Sequence, residues 1–311
     1  MKNYIFIYFI FFGFTQLSFA ESVEFKSRDL RFSENPGQNG KALGWDNLIT
    51  VKGELYLPNR RNDAIKFPAV ILLHGSGGIR YERENYYAKL LASKGFVALI
   101  VETYASRKNA SVQNVSALAQ VGDAYAAYEF LSKRSDVDSE KIFTWGFSMG
   151  GYSSYYLSDR ATNRLASEKE TNFAGHISFY PGWQITFASP EPTNAPLLAV
   201  LGEVDELVDV EYAKLDIENR KSKGGLIDLH VISGAAHAWE FRDPRGFSPN
   251  TINRKNCKMT ISKQGGLTWK DLGTTYKTCQ TNGYTTGYDK KSQMIAEKLA
   301  LDFLSRLTSK N

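Results

Sequence analysis

Two stretches near the start of the chain, VEFKSRDLRF from Val23 and TVKGELYLP from Thr50, alternate apolar and polar residues, as strands do when one face meets water. From Phe67 the pattern changes. FPAVILL, GFVALIVE, KIFTWGF, FAGHISFY, APLLAVLG and LIDLHVIS are short continuous apolar runs, which predict strands buried on both faces. Between them, residues 86–94, 115–132 and 210–221 have helical spacing. This alternation predicts an α/β fold with a mostly parallel, doubly wound sheet, the first two strands forming an antiparallel edge. The last apolar stretch, MIAEKLALDFLSRL, is expected to close the fold as a helix with Ile295, Leu299, Phe303 and Leu307 against the sheet.

Residues 242–291 break this alternation. They are polar, rich in Gly, Thr, Asn and Lys, and read as an insertion before the final helix, either a solvated loop or a device that tunes access to a site, dispensable for a working core. The insertion carries ten basic residues against three aspartates, in a chain whose formal charge is only +5. So mild a net excess gives no argument for nucleic acid. Both cysteines, Cys257 and Cys279, lie in the insertion. The chain opens with one lysine, an apolar run through Phe14 and small residues at Ser18 and Ala20, the pattern of an export signal cut after Ala20. In an oxidising compartment, periplasmic or extracellular, a Cys257 to Cys279 disulfide follows. Residues 21–311 are expected to form one domain, with no stable membrane insertion once the signal is removed. The pattern does not specify an oligomeric state.

The strongest chemical signal is GFSMGG, residues 146–151, after an apolar strand and before a helix-compatible stretch. That is where a nucleophile elbow places its serine, here Ser148. An elbow needs an acid and then a histidine downstream. Asp205 in GEVDELV and His237 in GAAHAWEF each follow a strand, at the end of the sheet where open α/β folds place their sites. Asp209 and Glu203 are the rivals for the acid. The oxyanion donors are expected from the amide of Met149 and from HGSGG, residues 74–78, through Ser76 or else Gly77. His74 is expected to brace that loop; His176 and His230 lie within strand-like runs and are read as core or face residues. Such a triad works without metal or organic cofactor.

HGSGG, VDSEKIFTWGFSMGG, LLAVLGEVDELV and GAAHAW together resemble the dienelactone hydrolase family of α/β hydrolases. The resemblance implies an α/β-hydrolase fold and ester hydrolysis of a small or polymeric substrate through an acyl-enzyme. The chain departs from the family's GxCxGG by carrying Ser148, which favours ordinary esters over dienelactones. Arg107, in VETYASR, lies one residue away from the family's carboxylate-binding arginine, and is either that ligand or a surface residue. Trp183 and Trp239 are either walls of the substrate pocket or packing aromatics. Peptide hydrolysis is the rival activity, and adhesion to anionic surfaces through the basic insertion is the rival from outside enzymology.

Overall fold

The computed structural model describes residues 20–32, 41–58, 65–108, 110–111, 115–169, 171–263 and 266–309. The expected export signal therefore lies, apart from Ala20, outside the described residues. Strands β1 (Glu21–Arg28) and β2 (Leu48–Tyr56) pair antiparallel, as their alternation implies. They are followed by β3 (Phe67–Leu73), a wide helical turn over Tyr81–Asn85, α1 (Tyr86–Ser93), β4 (Val97–Val101), α2 (Ala117–Ser132), β5 (Val137–Phe147) and α3 (Met149–Leu157). Next come α4 (Arg160–Ala166), β6 (Gly175–Phe179), β7 (Ile185–Phe187), β8 (Leu197–Gly202), α5 (Val210–Lys221) and β9 (Ile227–Ile232). The remainder is β10 (Gly246–Asn253), β11 (Met259–Ile261), β12 (Leu267–Trp269), α6 (Tyr276–Cys279), β13 (Thr281–Thr286) and α7 (Lys290–Thr308).

Eight strands form the main sheet in the order β1-β2-β4-β3-β5-β6-β8-β9. From β4 to β9 every neighbouring pair is parallel. Strand order runs one way from β3 to β4 and the other way from β3 to β5, so the carboxyl ends of β3 and β5 flank the crevice where such sheets bind ligands. Successive residues of a strand face opposite sides. In β4, Val97, Leu99 and Val101 join the core under α2, α3, α4 and α5, whereas Ala98 and Ile100 join the core under α1 and α7. Both faces are covered, which is why these runs are continuously apolar.

Three expectations need correction. Strand β9 is at the sheet edge, with His230 exposed, so only part of LIDLHVIS is buried. In α7 the buried residues are Ser292, Ala296, Ala300, Phe303 and Leu304, and Ile295 is 38% exposed. Leu299, Phe303 and Leu307 pack on the core as expected, and only at Ile295 has a row of residues four apart, on a helix of 3.6 residues per turn, drifted off the contact line. The insertion is no plain loop. β10 and β13 form an antiparallel ribbon, while β11 joins β7 and carries β12. Cys257 and Cys279 are disulfide-bonded. Its basic residues reach back to the core: Lys258 pairs with Asp209 at 2.9 Å, and Lys258 and Lys270 both stand over the Tyr212 ring. Among the described residues no helix is long and apolar enough to cross a membrane.

Candidate active site

Ser148 sits at the turn between β5 and α3 with φ 52° and ψ −110°, a backbone conformation strained for a residue with a Cβ. Its N–H donates to the Phe179 carbonyl at 2.9 Å, tying the turn to the end of β6. The turn is possible because its flanks are glycine. A Cβ on Gly146 would lie 1.8 Å from the Gly150 carbonyl oxygen, and one on Gly150 would lie 2.0 Å from that of Leu73. Met149 opens α3, so its N–H is among those a helix leaves without an internal acceptor, at the end whose dipole favours negative charge.

The loop after β3 lies beside this turn. The Gly78 N–H closes it on the Gly75 carbonyl at 3.0 Å, and Ser76 is half-buried within it. His74 has the bracing place expected of it. Its Nδ1 lies 2.8 Å from the Gly75 carbonyl oxygen, its own carbonyl accepts from Gln120 Nε2, and burial holds its imidazole down at about 4. Arg83 is buried beneath the loop, donating to the Gly78 carbonyl at 3.1 Å and to Glu84 at 2.7 Å.

Asp205 follows β8 and His237 follows β9, and the two loops converge on Ser148. His237 Nδ1 is 2.7 Å from Asp205 Oδ2, and Nε2 is 3.0 Å from Ser148 Oγ. A carboxylate only accepts, so Nδ1 carries the hydrogen and Nε2 is left to accept from the serine hydroxyl. Asp205 is fixed in turn by the Leu207 N–H at 2.9 Å. The two rivals for the acid are occupied elsewhere: Asp209 caps α5 and pairs with Lys258, and Glu203 accepts from Ser233 and Gly234.

The expected substrate residues are placed otherwise. The Arg107 guanidinium bonds Asp29 at 2.7 Å and Asp123 at 2.8 and 3.0 Å, joining the end of β1, α2 and the loop after β4. A further N–H goes to the Thr103 carbonyl at 2.9 Å, so its donors are engaged within the protein. Trp183 is buried, with Nε1 on Asp216 and its ring against Tyr155, and Trp239 is buried against Tyr180 and Phe179. Both are packing aromatics. His176 is likewise a core residue, 2.9 Å from the Thr144 hydroxyl.

Several neighbours of His237 are not apparent in the sequence. Its ring meets the rings of Tyr180 and Tyr284 edge-on, at 4.8 and 5.5 Å between centroids. Its N–H donates to the Thr285 carbonyl at 3.3 Å, so the insertion touches the site directly. The Tyr180 hydroxyl donates to Glu240, a buried carboxyl only three residues beyond His237. Glu240 had one signal, an acidic residue in an otherwise apolar phrase. Tyr284 and Thr285 had none. Among the described residues the non-glycine residues with positive φ are Ser148, Tyr180, Trp183 and Ala238, and all but Trp183 touch or adjoin His237, so strain gathers there.

Residues 52–262 match the dienelactone hydrolase family. The chain belongs to that family. This dienelactone hydrolase family member has the α/β-hydrolase fold. It is 29% identical over 224 residues to an uncharacterized protein of Pseudomonas aeruginosa, covering 67% of this chain and 55% of that protein. To the uncharacterized protein YcjY of Escherichia coli it is 26% identical over 140 residues, 44% of this chain and 45% of the other. To the quorum-quenching protein AidA of Acinetobacter baumannii it is 27% identical over 124 residues, 39% of each. The chain spans about half the length of the curated relatives it matches. Among solved structures, the dienelactone hydrolase-like promiscuous phosphotriesterase P91 from metagenomic libraries superimposes with a TM-score of 0.60 at 15% identity, over 93% of this chain and 98% of that one. Esterase 2 of Thermogutta terrifontis, phosphoramylated by tabun, does so with a TM-score of 0.50 at 20% identity, over 68% of this chain and 85% of the other. At these identities the likeness is one of fold.

Proposed function

We propose that the protein is a serine esterase in which Ser148 is the nucleophile, His237 the general base and acid, and Asp205 the residue that orients the histidine. The observation that carries this reading is the unbroken line from Asp205 Oδ2 through both ring nitrogens of His237 to Ser148 Oγ, on a serine held at φ 52°. An isolated serine hydroxyl is a weak nucleophile near neutral pH; a base in line with it changes that. Ser148 Oγ attacks the acyl carbon as its proton passes to His237 Nε2, and Asp205 stabilises the imidazolium. The oxyanion takes the amides of Met149 and Ser76 as donors. Its collapse expels the alcohol, protonated by His237, and leaves an ester on Ser148. Water, deprotonated by the same histidine, then releases the acid.

Ester substrates are supported by membership of the dienelactone hydrolase family and by related names that include an esterase, a phosphotriesterase and a quorum-quenching protein. Export with cleavage after Ala20 also belongs to this reading. Glu21 is the first residue of β1, so that cut would leave the edge strand whole.

A fluorophosphonate is expected to form a covalent adduct on Ser148, and the protein to hydrolyse p-nitrophenyl esters. Ser148→Ala should lose both properties while keeping its fold. Activity should fall by about 10⁴ or more, the usual scale for loss of a triad member. Adducts mapped to another residue, or turnover in folded Ser148→Ala close to that of the parent, would overturn the assignment.

A further inference from the structure

We propose that Tyr284 is a positioning residue for His237, which makes the β10–β13 ribbon part of the catalytic apparatus; the inference rests on His237 being the base, as assigned above. Residue 284 lies beyond the segment that matches the family, so this support is added by the insertion. Its ring meets the imidazole edge-on, at 5.5 Å and 81°. The next residue, Thr285, accepts from the His237 N–H through its carbonyl, and its own N–H donates to the carboxylate of Glu206, the neighbour of Asp205. Asn253 on β10 donates to the Glu206 carbonyl and to the Gly283 carbonyl, both at 3.1 Å.

The ribbon thereby joins the loop that carries the acid to the loop that carries the base. For catalysis His237 must present Nδ1 to Asp205 and Nε2 to Ser148 at once, which only a narrow range of its two side-chain torsions allows. Tyr180 restrains the ring from the main sheet, at 4.8 Å, and Tyr284 restrains it from the insertion. A displacement of about 1 Å at a reacting group can cost on the order of 100-fold in rate. A removed restraint should therefore be felt in turnover and not in substrate affinity.

The test uses the full chain with p-nitrophenyl acetate and p-nitrophenyl hexanoate. Tyr284→Ala is expected to lower kcat about tenfold on both esters, with KM within about twofold of the parent, and to slow fluorophosphonate labelling of Ser148 by a similar factor. Tyr284→Phe keeps the ring edge and should retain the parental kcat. Tyr284→Leu keeps bulk for folding without an aromatic edge, and should fall with the alanine variant. A parental kcat in folded Tyr284→Leu overturns the proposal, as does a KM effect that grows with acyl length at constant kcat, which would make Tyr284 a substrate contact. A parent protein that takes no label at Ser148 would instead sink the esterase assignment, so the two failures are distinguishable.

Discussion

Glu240 is enclosed by groups that other elements supply. Tyr180 donates to one carboxyl oxygen at 2.6 Å, the Tyr87 hydroxyl lies 3.4 Å from the other, and the charges of Arg83 and Glu84 are close enough to act on it. Burial pushes its carboxyl up to about 7, against the Tyr180 hydrogen bond and the Arg83 charge. The folded protein thus holds this proton more tightly than the unfolded chain, whose glutamates titrate near 4.5. The stabilisation this provides is complete below about pH 4.5 and fades as pH rises through about 7. Relative to Glu240→Gln, the melting temperature of the parent should therefore decline between about pH 5 and pH 7.5. Parallel melting curves for the two proteins across that range would contradict the buried, raised carboxyl. Its neighbourhood was half legible. An acid inside AHAWEF is conspicuous in sequence, whereas Tyr180, Tyr87 and Arg83 approach it from other parts of the chain.

At the scale of elements, the buried strands announced themselves, whereas the insertion was legible as a segment but its strands were not. Strand β4 is buried at every position, so its apolar run is forced; β10, GFSPNTIN, is mostly exposed and is defined by backbone pairing with β13. Pairing of that kind leaves no hydrophobic period to read. Removal of the disulfide is expected to loosen this ribbon. In the chain-entropy model, closing a loop of this length is worth about 3 kcal/mol. Cys257→Ser with Cys279→Ser should lower the melting temperature and also reduce ester turnover, because β13 carries Tyr284 and Thr285 to His237. Thermal melts together with kcat on p-nitrophenyl acetate check this. Unchanged values of both would show that the ribbon holds its place without the bond. The same contacts argue against an insertion that can be deleted to leave an active core.

For the whole molecule, the export reading makes a prediction of its own. The mature protein recovered from outside the cytoplasm should begin at Glu21, and its intact mass should show one disulfide; a retained Met1 or two free thiols would contradict it. What the sequence determined by itself is what local chemistry enforces: continuous apolar runs where strands are covered on both faces, helical spacing between them, and a serine between glycines that alone leave room for so tight a turn. The order of Ser148, Asp205 and His237 was legible for the same reason, since each follows the carboxyl end of a strand. Tertiary structure decided the rest. Arg107 stands near a family position in sequence, yet Asp29 and Asp123, brought to it by β1 and α2, claim its donors. Trp239 stands two residues from His237 and Trp183 follows the carboxyl end of a strand, yet both turn into the core. Tyr284 is distant from every motif and meets the histidine because a disulfide-bonded ribbon folds back onto the sheet. Which partner a long polar or aromatic side chain finds depends on what other elements bring within about 4 Å of it, and spacing along one chain does not encode that.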